Sequence, residues 1–86
     1  MRTKATYRQI SAAIKLAQEQ QHKLPTDCYC EVYYDRQQSC WYAQYKVIAN
    51  QWDAKEWGNI GFGASPMDAV VALLENNFST TTNQSN

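Results

Sequence analysis

Between Ala5 and Lys23 apolar residues recur every three or four positions. Tyr7, Ile10, Ala13, Ile14 and Ala17 share one stripe, and Arg8, Lys15 and Glu19 lie outside it. That spacing predicts an amphipathic helix over 5–23. Good helix formers fill the segment without an internal Gly or Pro, and Pro25 ends it, because a proline pushes its predecessor out of the α region. From Cys28 the period changes to two. Cys28, Cys30, Val32 and Tyr34 line one face of a strand over 28–35, and Trp41, Ala43, Tyr45 and Val47 line one face of a second over 40–49. The polar stretch Arg36-Gln37-Gln38-Ser39 joins them. A four-residue loop sets Tyr34 opposite Trp41, Val32 opposite Ala43, Cys30 opposite Tyr45 and Cys28 opposite Val47. A loop longer by one would set Val32 against Tyr42 and Cys30 against Gln44, mixing the faces.

A longer connection over 50–55 carries Trp52, and a third strand is predicted over 56–63. Ile60 and Phe62 are expected on its apolar side, with Trp57, Asn59, Gly61 and Gly63 facing away. Ser65-Pro66-Met67-Asp68 then reads as a helix start: Ser65 as cap, Pro66 at the first helical position, and the Asp68 carboxylate reaching back to the cap. The second helix runs to about Asn77 and buries Ala69, Val70, Leu73 and Leu74. The predicted fold is α+β, in the order α-β-β-β-α, with a three-stranded antiparallel sheet whose apolar face both helices cover. One domain spans 5–78, preceded by a short segment 1–4 and followed by a polar tail, 79–86, expected to be disordered.

Composition narrows the partners. Apolar residues make up 44% and charged residues 19%, with eight cations against eight anions, a balance that suits a globular domain. Zero formal charge removes the broad cationic field on which non-specific nucleic-acid binding relies. No apolar run approaches the ~18 residues of a membrane span, and Met1-Arg2-Thr3-Lys4 leads into polar sequence instead of a signal-peptide core. The expected location is the cytoplasm of a host cell, without membrane contact.

The residues that carry chemistry do not form a familiar constellation. Three cysteines and His22 offer soft ligands within nineteen positions, but the register points Cys28 and Cys30 inward and Cys40 to the opposite side. A tetrahedral zinc site needs converging sulfurs, so no metal is expected. The thiols read as two small core residues and one surface group in a reducing compartment. His22 and Lys23 suit a helix C-terminus, and no nucleophile is tied to that histidine. Glu31, Asp35, Asp53 and Glu56 are scattered, and Gly58-Asn59-Ile60-Gly61-Phe62-Gly63 lacks the order and the following Lys-Ser/Thr of a phosphate loop. No catalysis and no cofactor are expected.

The element order resembles the double-stranded-RNA-binding domain over residues 5–78. That family enters its last helix with Gly-x-Ser-Lys-Lys-x-Ala, where the lysines grip phosphates. The stretch Gly63-Ala64-Ser65-Pro66-Met67-Asp68-Ala69 keeps the glycine, serine and alanine but places Pro66 and Met67 at the lysine positions, and the 36–39 loop lacks the family's Pro-x-His element. A nucleic-acid-binding alternative would rest instead on Arg2, Lys4, Arg8 and Lys15. The turn from Gly61 to Val70 is also similar to the last strand-to-helix turn of HicB-like antitoxins and small phage proteins, often Gly-x-Gly-x-Thr/Ser-Pro-x-Glu/Asp-Ala. That resemblance implies a phage or mobile-element origin.

Eleven aromatics, 13% of the chain, concentrate between Tyr29 and Phe62. With both helices on one side, the sheet's other side is expected to present Tyr29, Glu31, Tyr33, Tyr42, Gln44, Lys46, Ile48, Trp57 and Asn59, with a hollow at Gly61 and Gly63. Aromatics with few charges match the core of a protein interface. Tyr29, Tyr33, Tyr42, Gln44, Lys46, Trp52 and Trp57 are therefore the candidate binding residues. Trp52, in a polar loop, either folds back on the sheet rim or meets a partner. The expected role is a non-enzymatic protein-binding module that modulates a host protein, for instance a defence system in the manner of an anti-CRISPR. The same face suits self-association into a homodimer.

Overall fold

In the computed structural model, which describes residues 6–78, the chain leaves its extended start at Thr6. The Thr6 hydroxyl accepts from the Gln9 amide at 3.0 Å while the Gln9 side chain accepts from the Thr6 amide at 2.8 Å. This reciprocal capping box satisfies two otherwise orphaned donors and launches α1, Tyr7–Gln18. The predicted helix over 5–23 is shorter in fact: past Ala17 no apolar residue remains to hold a further turn on the sheet. The amides of Glu19 and Gln20 tighten to three-residue bonds with Leu16 and Ala17, and a 3-10 turn, Gln21–Lys23, follows. Tyr7, expected in the buried stripe, is 85% exposed, since the first turn of α1 extends beyond the sheet-facing positions Ala13 and Ala17.

β1 (Cys28–Asp35), β2 (Cys40–Asn50) and β3 (Asp53–Gly63) form an antiparallel sheet in the order β1-β2-β3. The β1–β2 register is the predicted one, pairing Tyr34 with Trp41, Val32 with Ala43, Cys30 with Tyr45 and Cys28 with Val47. The Asp35 carboxylate holds the loop by accepting from the amides of Gln37 and Gln38, and Ser39 completes it at φ +52°. β2 and β3 meet at a tighter turn than the predicted 50–55 connection. Asn50 pairs with Asp53, with a one-residue bulge at Ala49 before it, and the Asn50 side chain accepts from the Trp52 amide at 2.8 Å, so only Gln51 and Trp52 form the turn.

The third strand carries the main correction. Gly61 pairs with Ala43, Trp57 with Tyr45 and Gly63 with Trp41, which puts all three on the helix-covered side, whereas Phe62 pairs with Tyr42 on the other. Between Gly61 and Trp57 three residues of β3 stand against the single Gln44 of β2, a bulge that contains Gly58 at φ +73°, Asn59 and Ile60. The cause is α2, Pro66–Phe78, which lies almost on the β3 backbone. A Cβ at Gly61 would run into the backbone of Leu73 and Ala69, and one at Gly63 would stand 2.6 Å from the Ala69 amide nitrogen. Both positions are glycine because the helix occupies the space a side chain would need.

The Ser65 hydroxyl accepts from the Asp68 amide at 3.1 Å, so α2 starts at the expected cap. Both helices share one side of the sheet and touch each other. Ala13 and Ala17 of α1, Ala69, Val70 and Leu73 of α2, and Cys28, Cys30, Trp41, Ala43 and Tyr45 of the sheet make the core. Tyr45 is its centre: the ring is 1% exposed, its hydroxyl donates to the Ala17 carbonyl at 2.7 Å, and Trp57 and Phe78 pack against it at 5.9 and 6.1 Å between centroids. Lys23 closes this cluster over the Phe78 ring at 5.3 Å. No helix among the described residues is long and apolar enough to cross a membrane. The segment 1–4 and the tail 79–86 lie outside the described residues.

Candidate functional site: the open face of the sheet

Alternation along β1 and β2 sends every residue between the buried ones to the side away from the helices. Tyr29, Glu31 and Tyr33 of β1 stand there opposite Lys46, Gln44 and Tyr42 of β2, and Phe62 joins from β3. At one end three rings form a row across the strands. Tyr33 and Tyr42 lie 4.0 Å apart between centroids, their hydroxyls hydrogen-bonded to each other, and Phe62 meets Tyr42 edge-on at 5.6 Å. No element of the described chain covers this row: Phe62 is 47% exposed and Tyr33 37%.

The middle of the face is polar. Lys46 reaches Glu31 at 3.5 Å, and Glu56 pairs with Lys46 from β3, so the strip holds two carboxylates around one ammonium. Between them lies Gln44, only 3% exposed. It stands opposite the bulge of β3, and its side-chain nitrogen has no hydrogen-bond partner among the described residues. Leaving such a donor unpaired costs about 1–3 kcal/mol.

At the far end Tyr29, Ile48, Asn50, Trp52 and Ala54 border a shallow hollow. Of the two placements open to Trp52, the structure shows the projecting one: its ring is 85% exposed at the tip of the β2–β3 turn. Ile48 beside it is 49% exposed.

Two expected members are absent from this surface. Trp57 belongs to the helix side, where it packs on Tyr45 and Phe78. Asn59 is turned to the end of α2: its amide donates to the Asn77 side chain at 2.8 Å, and its own side chain donates to the Asn76 carbonyl. Phe62, which hydrophobic patterning assigned to the core, takes their place.

The alternative basic strip is only partly described. Arg8 and Lys15 are exposed on α1, seven residues and so nearly two turns apart on one side; Arg2 and Lys4 lie outside the described residues. The thiols do not converge. Cys28 and Cys30 are buried under the helices, and Cys40 is on the other side of the sheet. Burial pushes the Cys30 thiol up to about 12, with Cys28 and Glu31 adding to it against a backbone hydrogen bond at Gln44, and burial raises Cys28 as well. Both are therefore neutral thiols at physiological pH, poor nucleophiles and poor ligands. Among the described residues no group of three or more His, Cys, Asp or Glu gathers as a metal site requires. Comparison with family models, with curated proteins and with solved structures found no match to this chain.

Proposed function

We propose that this chain is a non-enzymatic protein-binding module that modulates a host protein through the open face of its sheet. The observation that carries the reading is the aromatic row Tyr33–Tyr42–Phe62, which no element of the described chain covers. Rigid aromatic rings supply contact area at low entropic cost. The resemblance of Gly61–Val70 to the turn of HicB-like antitoxins and small phage proteins supports a mobile-element origin, and with it an inhibitory role against a host system such as a defence complex.

The double variant Tyr33→Ala/Phe62→Ala tests the face. Both side chains stand outside the core, so circular dichroism and thermal unfolding should stay near wild type, while a partner captured from host lysate by the wild-type chain should be lost. Retention of that partner by the folded double variant rejects the face.

The rival, a nucleic-acid binder, draws support from the α-β-β-β-α topology that it shares with double-stranded-RNA-binding domains. Pro66, at one of that family's lysine positions, is buried against the core, and the open face holds one lysine between two glutamates. A salt titration with an RNA duplex separates the readings, because phosphate contacts give a steep dependence on ionic strength.

A further inference from the structure

Among the described residues, no strand pairs with the outer edge of β1. β1 is an outer strand, eight residues long, and its register with β2 runs unbroken from Cys28 to Asp35. It has no bulge, no proline and no lysine, the usual devices that blunt an edge. The opposite edge, β3, is bulged at Gly58–Ile60 and tied there to α2 by the Asn59, Asn76 and Asn77 side chains. An open hollow of about 480 Å³ is bordered by Cys30, Glu31, Val32 and Tyr33 together with Ile14 of α1. Four consecutive strand residues, whose side chains alternate between faces, can border one hollow only along the strand's edge. That edge therefore offers backbone groups beside an apolar recess under α1.

We propose that β1 pairs antiparallel with β1 of a second copy of this chain, about a two-fold axis at Val32, to make a continuous six-stranded sheet. The charges and the length of the strand make it self-complementary in one register, since axes at Cys30 or Tyr34 pair fewer of its residues. A two-fold axis normal to the sheet sets one residue opposite its own copy and keeps each face continuous. An axis at Glu31 opposes two glutamates, and one at Tyr33 opposes Glu31 to Asp35; like charges directly opposite are unfavourable. The axis at Val32 opposes Val32 to Val32 and Cys30 to Tyr34 on the helix side, with Glu31 to Tyr33 and Tyr29 to Asp35 on the open side. It has no like-charged pair, and each copy's Val32 fills the other's recess beside Ile14. The pairing uses backbone groups of the edge and so goes beyond the binding face proposed above, whose aromatic row it would duplicate on one broad surface.

Sedimentation equilibrium of the full chain over a concentration series is the test, with Tyr33→Lys and Tyr33→Glu beside wild type. Wild type should reach a dimer mass. Tyr33→Lys places an ammonium opposite Glu31 of the second copy at two symmetric positions and should tighten the dimer roughly two- to thirty-fold at low salt, a gain that high salt removes. Tyr33→Glu should weaken it, and Glu31→Lys/Tyr33→Glu should restore it. Hydrogen exchange on wild type needs no variant: alternate β1 amides should gain protection as concentration rises. A monomer at every concentration overturns the proposal. So does a dimer that Tyr33→Lys and Tyr33→Glu weaken alike, which would place the contact on the aromatic face, and so does a dimer without protection of β1.

Discussion

Replacing Gly61 by alanine separates two descriptions of β3 that differ in sign. Were Gly61 on the open side, a methyl group would restrict the unfolded chain and favour the strand, stabilising the fold by about 0.5–1 kcal/mol. In the structure the new Cβ would lie 2.6 Å from the Leu73 Cα and closer still to the Leu73 nitrogen and the Ala69 carbonyl oxygen. All three atoms belong to the backbone of α2 and none can rotate away, so the helix must lift from the sheet. Overpacking of this kind costs roughly 1–3 kcal/mol. For a domain of this size each kcal/mol is about 4–8 °C in Tm, and a core this small leaves only about 3–5 kcal/mol in total. Urea unfolding followed by tryptophan fluorescence and far-ultraviolet circular dichroism should show the midpoint falling with little change in slope. A Gly61→Ala variant as stable as wild type, or more so, refutes the close approach of α2 and with it the assignment of Phe62 to the open face.

Asn77→Ala should lower stability by about 1–2 kcal/mol in the same assay, because the side chain both accepts from the Asn59 amide and donates to the Asn59 carbonyl, each at 2.8 Å; an unchanged midpoint would show that the bulge does not need its tie to α2. The buried Cys30 thiol sets an alkaline limit. Its folded value of about 12 exceeds the ordinary 9.0, so the unfolded chain loses its proton first, and stability that is whole below about pH 9 falls as pH rises toward 12. Urea midpoints between pH 7 and 11 should fall accordingly, and Cys30→Ala should reduce that slope without removing it, since burial raises the Tyr45 hydroxyl in the same direction. A slope that is the same in both chains would mean that Cys30 is not buried as described.

Local pattern was enough for the element order, the Ser65 cap, and the pairing of β1 with β2, because four apolar pairs can share one side only with a four-residue loop. From that pairing the inward thiols and the outward Tyr33, Tyr42 and Gln44 were legible too. What the letters from Trp57 to Gly63 could not disclose is which side of β3 is buried. Hydrophobic alternation assumes that the covered side carries the large side chains. Here α2 approaches so closely that two of the covered positions must be glycine, and the large residue between them, Phe62, is left outside. The bulge opposite Gln44, the tie between Asn59 and the end of α2, and the shortening of α1 all depend likewise on where the helices come to rest, and that is decided by packing between segments distant in sequence.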